Sequence, residues 1–474
     1  MLFNSIDFAI FLPVVFGLYW FVLNKNLKVQ NLLIVVASYV FYGSWDWRFL
    51  FLIVLSTGID YSIGIALAEE DRKGRRKLLL WCSLLANLGI LGFFKYYNFF
   101  IDNFITAFTF FGSRPDVRML DIILPVGISF YTFQTLSYTL DVYQHKMTPT
   151  RDFVAFSAFV SFFPQLVAGP IEKASHLLPQ FYKKRTFDYA FAVSGARIIV
   201  WGLFKKMVVA DNAAIIVDGI FTNYEAQSSL ALVLGAVLFA FQIYCDFSGY
   251  SDIAIGTGRL FGFDLMTNFL FPYLSPNISE FWKRWHISLS TWFRDYVYIP
   301  LGGSRISQAV ALRNIAVVFL VSGFWHGANW TFIVWGGIHA MLYIPVFMKR
   351  KASTTLATTP HMAATLGKTL INFIIVTLAW VYFRSDSVGM ANDYLIRMFS
   401  GGGKAAYFLI SSKYMLITAI SFGSILLLLA VETYAFRRQQ KEVLLDSRLL
   451  LGLCLMILFV GALKNHANFI YFQF

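Results

Sequence analysis

A single histidine lies in an aromatic, glycine-containing segment of the chain. His326 sits within Gly323–Trp330, and no other ionisable residue occurs between Arg313 and His339. An imidazole among apolar residues is either a core residue satisfied by hydrogen bonds or a group with a chemical role. Because an unperturbed imidazole has a pKa of about 6.5, it suits the removal of a proton from a hydroxyl. The flanking glycines allow another backbone to approach closely.

A second histidine belongs to a basic and aromatic stretch, residues 281–296. Read as one helix, the stretch places its apolar residues and His286 on a single face, with Lys283, Arg284 and Arg294 elsewhere. That face comprises Trp282, Trp285, His286, Leu289, Trp292, Phe293 and Tyr296. The pattern is typical of a helix at a membrane interface, where His286 is merely hydrogen-bonded. The alternative is that His286 takes part in chemistry.

Two carboxylates in an apolar region form a third group of interest. Asp246 and Asp252 are six residues apart, with hydroxyl side chains between them. They either polarise a histidine or bind a cation, or they belong to a polar helix break that is satisfied internally. No histidine or cysteine pair has the spacing of a zinc site, so the sequence predicts no metal. His339, which follows His326 on the next predicted helix, is a candidate for the same cavity.

The composition decides what kind of elements hold these residues. Of the 474 residues, 58% are hydrophobic and 14% are charged, whereas soluble proteins have about 25% charged residues. This excludes a soluble globular enzyme, a disordered protein and a disulfide scaffold. The net charge of +13 lies in short clusters between apolar runs, which favours membrane orientation and lipid headgroups over nucleic acid. We predict an all-α, multi-pass membrane protein with one domain over residues 1–474.

Basic loops and segment lengths give a first topology. The cluster at residues 72–77 is predicted to be cytoplasmic by the positive-inside rule. The apolar run 309–347 would be about 58 Å long as one helix, so we split it into two helices with a turn near 323–329. The basic cluster at residues 349–351 is predicted to be cytoplasmic too. The apolar segments between the two clusters give an odd number of crossings, whereas two cytoplasmic loops require an even number. We therefore expect 153–170 to re-enter or stay buried. Roughly 20 residues at 1.5 Å each separate His326 from Lys349, which is about a full bilayer and puts His326 near the extracytoplasmic face.

Five segments together resemble the membrane-bound O-acyltransferase family, in its bacterial alginate O-acetyltransferase branch. The resemblance runs from about residue 12 to residue 383. Its most specific pieces are Leu124–Phe133 (LPVGISFYTF), Ala168–Ile171 (AGPI), Asp246–Asp252 (DFSGYSD), Phe281–Tyr296 and Trp325–Ala328 (WHGA).

The resemblance implies a fold, an activity and two catalytic residues. The fold is a ring of about eleven transmembrane helices, with re-entrant or interfacial helices, around a central tunnel. His326 corresponds to the catalytic histidine and His286 to the second family histidine. The implied reaction passes acetyl from a cytoplasmic thioester toward a periplasmic acetyltransferase partner. That partner completes O-acetylation of an exopolysaccharide, alginate- or cellulose-like, or of peptidoglycan, which places the chain in a bacterial inner membrane.

The basic stretch then becomes a candidate donor site. Lys283, Arg284 and Arg294, together with Trp285, are expected to hold acetyl-CoA or the arm of an acyl carrier protein. Contact of these cations with lipid headgroups is the alternative. The donor is a substrate, and we expect no bound cofactor and no nucleic-acid partner.

Two other functions stay open at this point. A transporter or flippase would use the buried polar residues as a substrate path, although we find no inverted repeat. A D-alanyl transferase acting on teichoic acid would share both histidines. The forms of the segments at 124–131 and 246–252 look more like the polysaccharide acetylation branch.

Overall fold

The structure is a computed structural model that describes residues 1–112, 115, 117–167, 169–352, 362–462 and 469–470. Within these ranges the regular elements are helices, and the only extended pairing is an isolated bridge between Gln227 and Ala405. The prediction of an all-α protein is confirmed. Ala168, from one of the five segments above, lies outside the described residues.

The chain forms two compact units. The first comprises Met1–Gly195 with Thr257–Met266, and the second comprises Ala196–Gly256 with Thr267–Phe474. Helices of the first unit are α1 (Ile6–Gly17), α2 (Leu27–Asp46), α3 (Leu50–Glu69), α4 (Lys73–Leu91), α5 (Tyr97–Phe110), α6 (Ile128–Tyr143), α7 (Phe153–Ser161) and α8 (Ala174–Leu177). That residues 1–474 form a single functional domain stays a prediction.

The second unit contains the remaining helices, of which two begin or end in the first. These two are α9 (Tyr189–Leu203) and α11 (Ser229–Leu260). The others are α10 (Asp211–Thr222), α12 (Ile278–Trp282), α13 (Ile287–Phe293), α14 (Gln308–His326), α15 (Trp330–Ala352), α16 (Met362–Arg384), α17 (Val388–Ser400), α18 (Ser412–Arg437) and α19 (Ser447–Val460).

Seven described helical stretches are long and apolar enough to cross a membrane, judged by length and composition. A hydrocarbon core of about 30 Å needs roughly 20 such residues, so the protein is a multi-pass membrane protein. The stretches are Leu27–Glu69, Lys73–Phe110, Ser229–Leu260, Gln308–His326, Trp330–Lys349, Ala364–Arg384 and Ser412–Arg437.

Two predictions about individual segments are confirmed. The run 309–347 does form two helices, because α14 ends at His326 and α15 begins at Trp330. The segment 153–170 does stay buried over residues 155–167. Its helix α7 has only nine residues, and Ala155 through Ser161 are all buried.

A buried carboxylate ties together three helices of the first unit. Asp60 of α3 is inaccessible to solvent and accepts hydrogen bonds from Ser83 and Asn87 of α4. Thr139 of α6 donates a third bond, at 2.8 Å. A charge removed from water needs such partners, so this network fixes how the three helices pack.

Candidate active site

The stretch around His286 is not the single helix that the sequence predicts. Helix α12 ends at Trp282, α13 begins at Ile287, and His286 between them has a left-handed backbone with φ 44° and ψ 55°. A non-glycine residue in this conformation costs about 1–3 kcal/mol and persists only where its surroundings enforce it. The one-helix prediction was therefore wrong.

Residues 268–270 enforce the turn between α12 and α13. The backbone N–H of Ile287 donates to the carbonyl of Asn268, and that of Leu270 donates to the carbonyl of Arg284, both at 2.9 Å. These two bonds replace the helical bonds that the turn lacks. Contacts from a distant part of the chain thus override the local helical periodicity.

The side chain of Asn268 orients the His286 ring. Its Oδ1 lies 3.1 Å from His286 Nδ1 and accepts from the N–H and the hydroxyl of Ser288, at 3.3 and 2.9 Å. Its Nδ2 donates to the Ser251 hydroxyl at 3.2 Å. Asn268 and His286 are both fully buried, so this one amide determines where the imidazole points.

These contacts also determine which ring nitrogen of His286 carries the proton. A backbone N–H can only donate, so the atom that Ser288 bonds is the amide oxygen of Asn268. His286 Nδ1 must then be the donor, and in the neutral ring Nε2 keeps its lone pair. Among the described residues, Nε2 has no hydrogen-bond partner. Its lone pair is thus buried and unused within the described part of the site.

His326 is the last residue of α14 and only 2% exposed. Its ring centroid lies 6.4 Å from that of His286, so the two predicted histidines are neighbours. The rings of Trp325, Trp335 and Phe383 lie closer still to His326, at 4.9, 5.2 and 5.3 Å.

Two glycines bring α14 and α15 close enough to build this arrangement. A Cβ on Gly323 would collide with the backbone of Phe332, and one on Gly336 with the backbone of Phe319. The role inferred for Gly323 from the sequence is therefore confirmed: it permits close backbone approach.

His339 of α15 is buried behind this pair. Its Nδ1 accepts a hydrogen bond from Trp282 Nε1 at 3.3 Å, and its ring lies 4.7 Å from the Trp335 ring. Since Nδ1 accepts, the proton of the neutral ring is on Nε2.

A cavity of about 670 Å³ lies beside these residues in the second unit. Lys283 and Arg294 line it, whereas Arg284, Trp285 and the three histidines are not among its lining residues. Its other walls carry hydroxyls and aromatic rings, among them Ser279, Ser290, Thr291, Ser322, Trp282, Phe319 and Tyr343. Its volume falls within the roughly 300–1,000 Å³ of ordinary ligand pockets.

The four candidate donor-binding residues therefore separate into two pairs. Lys283 and Arg294 have half-exposed side chains paired with neighbouring carboxylates at 2.7 Å. Arg284 lies over the ring of Phe436 at 4.8 Å. Trp285 is 1% exposed and packs in the aromatic core. Donor contact stays a prediction for all four residues.

Comparison with known proteins identifies the family. The model for the membrane-bound O-acyltransferase family matches residues 148–392, which include both predicted catalytic histidines. The chain belongs to the membrane-bound O-acyltransferase family. It is 41% identical over 406 residues to a Pseudomonas aeruginosa protein named "Probable alginate O-acetylase", covering 85% of this chain and 75% of that protein.

Two further relatives have names that refer to other cell-wall polymers. The peptidoglycan O-acetyltransferase of Helicobacter pylori is 38% identical over 421 residues, which cover 82% of this chain and 78% of that enzyme. The teichoic acid D-alanyltransferase of Bacillus subtilis is 29% identical over 229 residues, which cover 46% of this chain and 57% of that enzyme.

In this acyltransferase the carboxylates at 246 and 252 are structural partners of two buried lysines. Lys206 bridges Asp211 and Asp246 at 2.7 and 2.6 Å, and Lys205 pairs with Asp252 at 2.6 Å. Helix α11 continues unbroken through both aspartates, so no helix break occurs here. Of the described residues, none form a group of three or more histidines, cysteines or carboxylates suited to a metal.

The carboxylate of Asp246 also binds residues 469–470, near the C-terminal end of the sequence. The Ile470 N–H donates to Asp246 at 2.7 Å, and the Phe469 ring lies 4.4 Å from Tyr250. Phe469 is 6.0 Å from Phe247, whose ring meets the His286 ring edge-on at 4.6 Å. Sequence reasoning missed Asn268, Lys205, Lys206 and Phe469. The lysines had a usable signal, because they are charges inside an apolar segment.

Proposed function

We propose that this protein is a membrane O-acetyltransferase, which moves acetyl from a cytoplasmic thioester toward an acceptor on the far side of a bacterial inner membrane. The proximity of two buried histidines from separate elements is the observation that supports this most. His326 and His286 have ring centroids 6.4 Å apart. The O-acetylating relatives add support, since they align with more than four fifths of the chain.

The proposed reaction is a direct transfer with His326 as the base. The acceptor hydroxyl gives its proton to His326, and its oxygen attacks the thioester carbonyl. The new C–O ester bond forms, the C–S bond breaks, and the leaving thiolate takes the proton from His326. An alternative within the same function is that His326 itself carries the acetyl group briefly.

The position of the proton on the His286 ring determines whether His286 can donate a hydrogen bond to substrate or only accept one. In the neutral ring Nε2 has a lone pair, so His286 can stabilise an oxyanion only after Nε2 gains a proton. A neutral His286 instead accepts a hydrogen bond. The attacking hydroxyl gives its only proton to His326, so the bond to His286 comes from a second O–H or N–H group. We assign His286 to orienting the acceptor through that group beside His326, which fits the 6.4 Å spacing of the two ring centroids.

The cavity lined by Lys283 and Arg294 is the proposed donor site. Its basic rim suits the phosphates of acetyl-CoA or of a carrier-protein arm, and its hydroxyl and aromatic walls suit a pantetheine chain. The basic loops and segment lengths of the sequence favour donor entry from the cytoplasm. Passage through a tunnel to a periplasmic partner is part of the same proposal.

The proposed acceptor is an exopolysaccharide or peptidoglycan, reached through a periplasmic acetyltransferase. The alginate and peptidoglycan relatives support both polymers to a similar degree. The D-alanyltransferase relative aligns with less than half of the chain, which favours acetyl over D-alanyl as the transferred group.

Polymer-bound acyl groups in cells test this function. Cells would carry the wild type, His326→Asn, His145→Asn or no copy, with membrane levels matched by blotting. His145 is an exposed histidine with φ 56°, and asparagine tolerates that backbone, so it is the matched control. We expect wild type and His145→Asn to restore ester-bound acetate and His326→Asn to lose it.

Three other results would change the proposal. Full acetylation by His326→Asn would make His326 a structural residue. Ester-bound D-alanine on teichoic acid in place of acetate would move the chain to D-alanyl transfer. Wild-type cells without acyl groups on any polymer would favour a transporter.

A further inference from the structure

An aromatic wall separates the proposed donor cavity from His326. Trp282 and Phe319 line the cavity, and their ring centroids are 5.3 Å apart. Behind them Trp335 lies 5.8 Å from Trp282 and 5.2 Å from His326. Trp335 is fully buried. The three rings therefore form a continuous line of contacts from the cavity to His326.

The distance to be crossed is short. Ser322 lines the cavity and lies four residues before His326 on α14, which corresponds to about 6 Å along the helix axis. An acetyl group adds only a methyl beyond the carbonyl, whereas a butyryl group adds a three-carbon chain. The length of acyl chain that can be transferred thus depends on how much space the rings of the wall leave between the cavity and His326.

One hydrogen bond fixes the position of the wall. Trp282 Nε1 donates to His339 Nδ1 at 3.3 Å, and His339 is fully buried. The His339 ring also packs at 4.7 Å against Trp335. Turning the Trp282 ring away would break this bond and leave two buried polar atoms unpaired, which is unfavourable. His339 therefore acts through Trp282 rather than on substrate.

We propose that Trp282, held by His339, limits the transferred acyl group to acetyl. Trp282 is the specificity-determining residue, and His339 is a positioning residue. The inference rests on the proposed function, because it needs a thioester donor in the cavity. In apolar pockets one methylene changes discrimination by roughly 10–200-fold, so a shift in chain-length preference should be large enough to measure.

The test compares acyl thioesters of increasing length. Membranes from polymer-producing cells are supplied with acetyl, propionyl or butyryl thioesters of N-acetylcysteamine, the end group shared by coenzyme A and carrier arms. The ester-bound acyl groups on the polymer are measured by mass spectrometry. We expect wild type to use acetyl, and Trp282→Leu to raise the butyryl-to-acetyl ratio by about tenfold or more.

Two more variants keep the test decisive if Trp282→Leu does not fold. His339→Leu should shift the ratio in the same direction, since it frees the Trp282 ring. Trp282→Phe removes the hydrogen bond but keeps most of the bulk, and it should shift the ratio less than Trp282→Leu. Trp292→Leu is the matched control, because Trp292 is 6% exposed, Trp282 is 9% exposed, and only Trp282 lines the cavity.

The outcomes separate the two proposals. If wild-type membranes transfer acetyl neither from this probe nor from acetyl-CoA, which carries the phosphates, the proposed function fails and this inference fails with it. If only acetyl-CoA is used, the same comparison is made with the three coenzyme A thioesters. If wild type transfers acetyl but the folded Trp282 and His339 variants keep the wild-type ratio, only this inference is overturned. An equal shift in Trp292→Leu would also overturn it.

Discussion

Replacing Asn268 with alanine tests whether the orientation of His286 matters for the reaction. The substitution removes an acceptor shared by His286 Nδ1 and by the N–H and hydroxyl of Ser288. Each buried polar group that loses its partner costs about 1–3 kcal/mol, so Asn268→Ala should lower the free energy of unfolding by about 3 kcal/mol. Without the amide oxygen, nothing in the described part of the site fixes the proton on Nδ1.

Activity should fall by more than the loss of stability explains. Removing the hydrogen-bond partner that orients a metal-binding histidine costs roughly 10–100-fold in affinity or activity, and we expect a similar loss in kcat here. Asn268→Asp keeps the accepting oxygen, so it should retain more activity than Asn268→Ala. Each rate is divided by the amount of folded protein in the membrane.

A matched variant separates a local effect from general damage. Asn372 is also buried and donates one hydrogen bond, at 3.1 Å, to the carbonyl of Ser275. Asn372→Ala should lower the unfolding temperature with little change in the rate per folded molecule. If Asn268→Ala behaves in the same way, then Asn268 has only a structural role, and the argument from the His286 tautomer is refuted.

Three further predictions concern residues away from the reacting atoms. Phe469→Ala should lower kcat, because Phe469 supports the Phe247 ring that packs on His286. The control is Phe459→Ala, which should leave kcat unchanged because Phe459 is 81% exposed. Equal kcat values in both variants would contradict this prediction. Asp60→Ala should lower the unfolding free energy by about 3 kcal/mol, seen as a lower unfolding temperature in detergent, with an unchanged rate per folded molecule. Lys206→Met should lower the free energy of unfolding by about 3–5 kcal/mol, because it leaves buried carboxylates without their cation. Adding Asp246→Asn should recover part of that free energy. Additive losses in the double variant would show that the two residues do not interact.

Where neighbours in sequence determine the structure, the sequence predicts it well. The helix pair α14 and α15 follows from the length of its apolar run and from the glycine-containing turn at 323–329, and both boundaries lie where this pattern puts them. The buried position of His326 follows from the absence of charges around it. The count of crossings between basic loops predicts that the segment containing α7 re-enters or stays buried, and residues 155–167 are buried.

Where distant residues determine the structure, the sequence alone gives the wrong element. Residues 281–296 have helical periodicity throughout, and nothing in the stretch itself predicts a break at His286. The break depends on hydrogen bonds to residues 268–270. Asn268 looks like an ordinary loop asparagine, and its role becomes visible only when its oxygen is seen to serve three donors.

The break at His286 also explains how the stretch 281–296 contributes residues both to the cavity and to the neighbourhood of His326. In a single helix, Trp282 and His286 would lie one turn apart on the same face and would meet the same neighbours. With the left-handed residue between the helices, Trp282 bonds to His339 and lines the cavity, while His286 packs beside His326. The strained backbone of His286 thus lets Trp282 belong to the aromatic wall and face the proposed donor, while His286, four residues later, lies beside His326 toward the proposed acceptor. A substitution that relaxes this turn into a continuous helix should therefore disturb chain-length selectivity and acetyl transfer together.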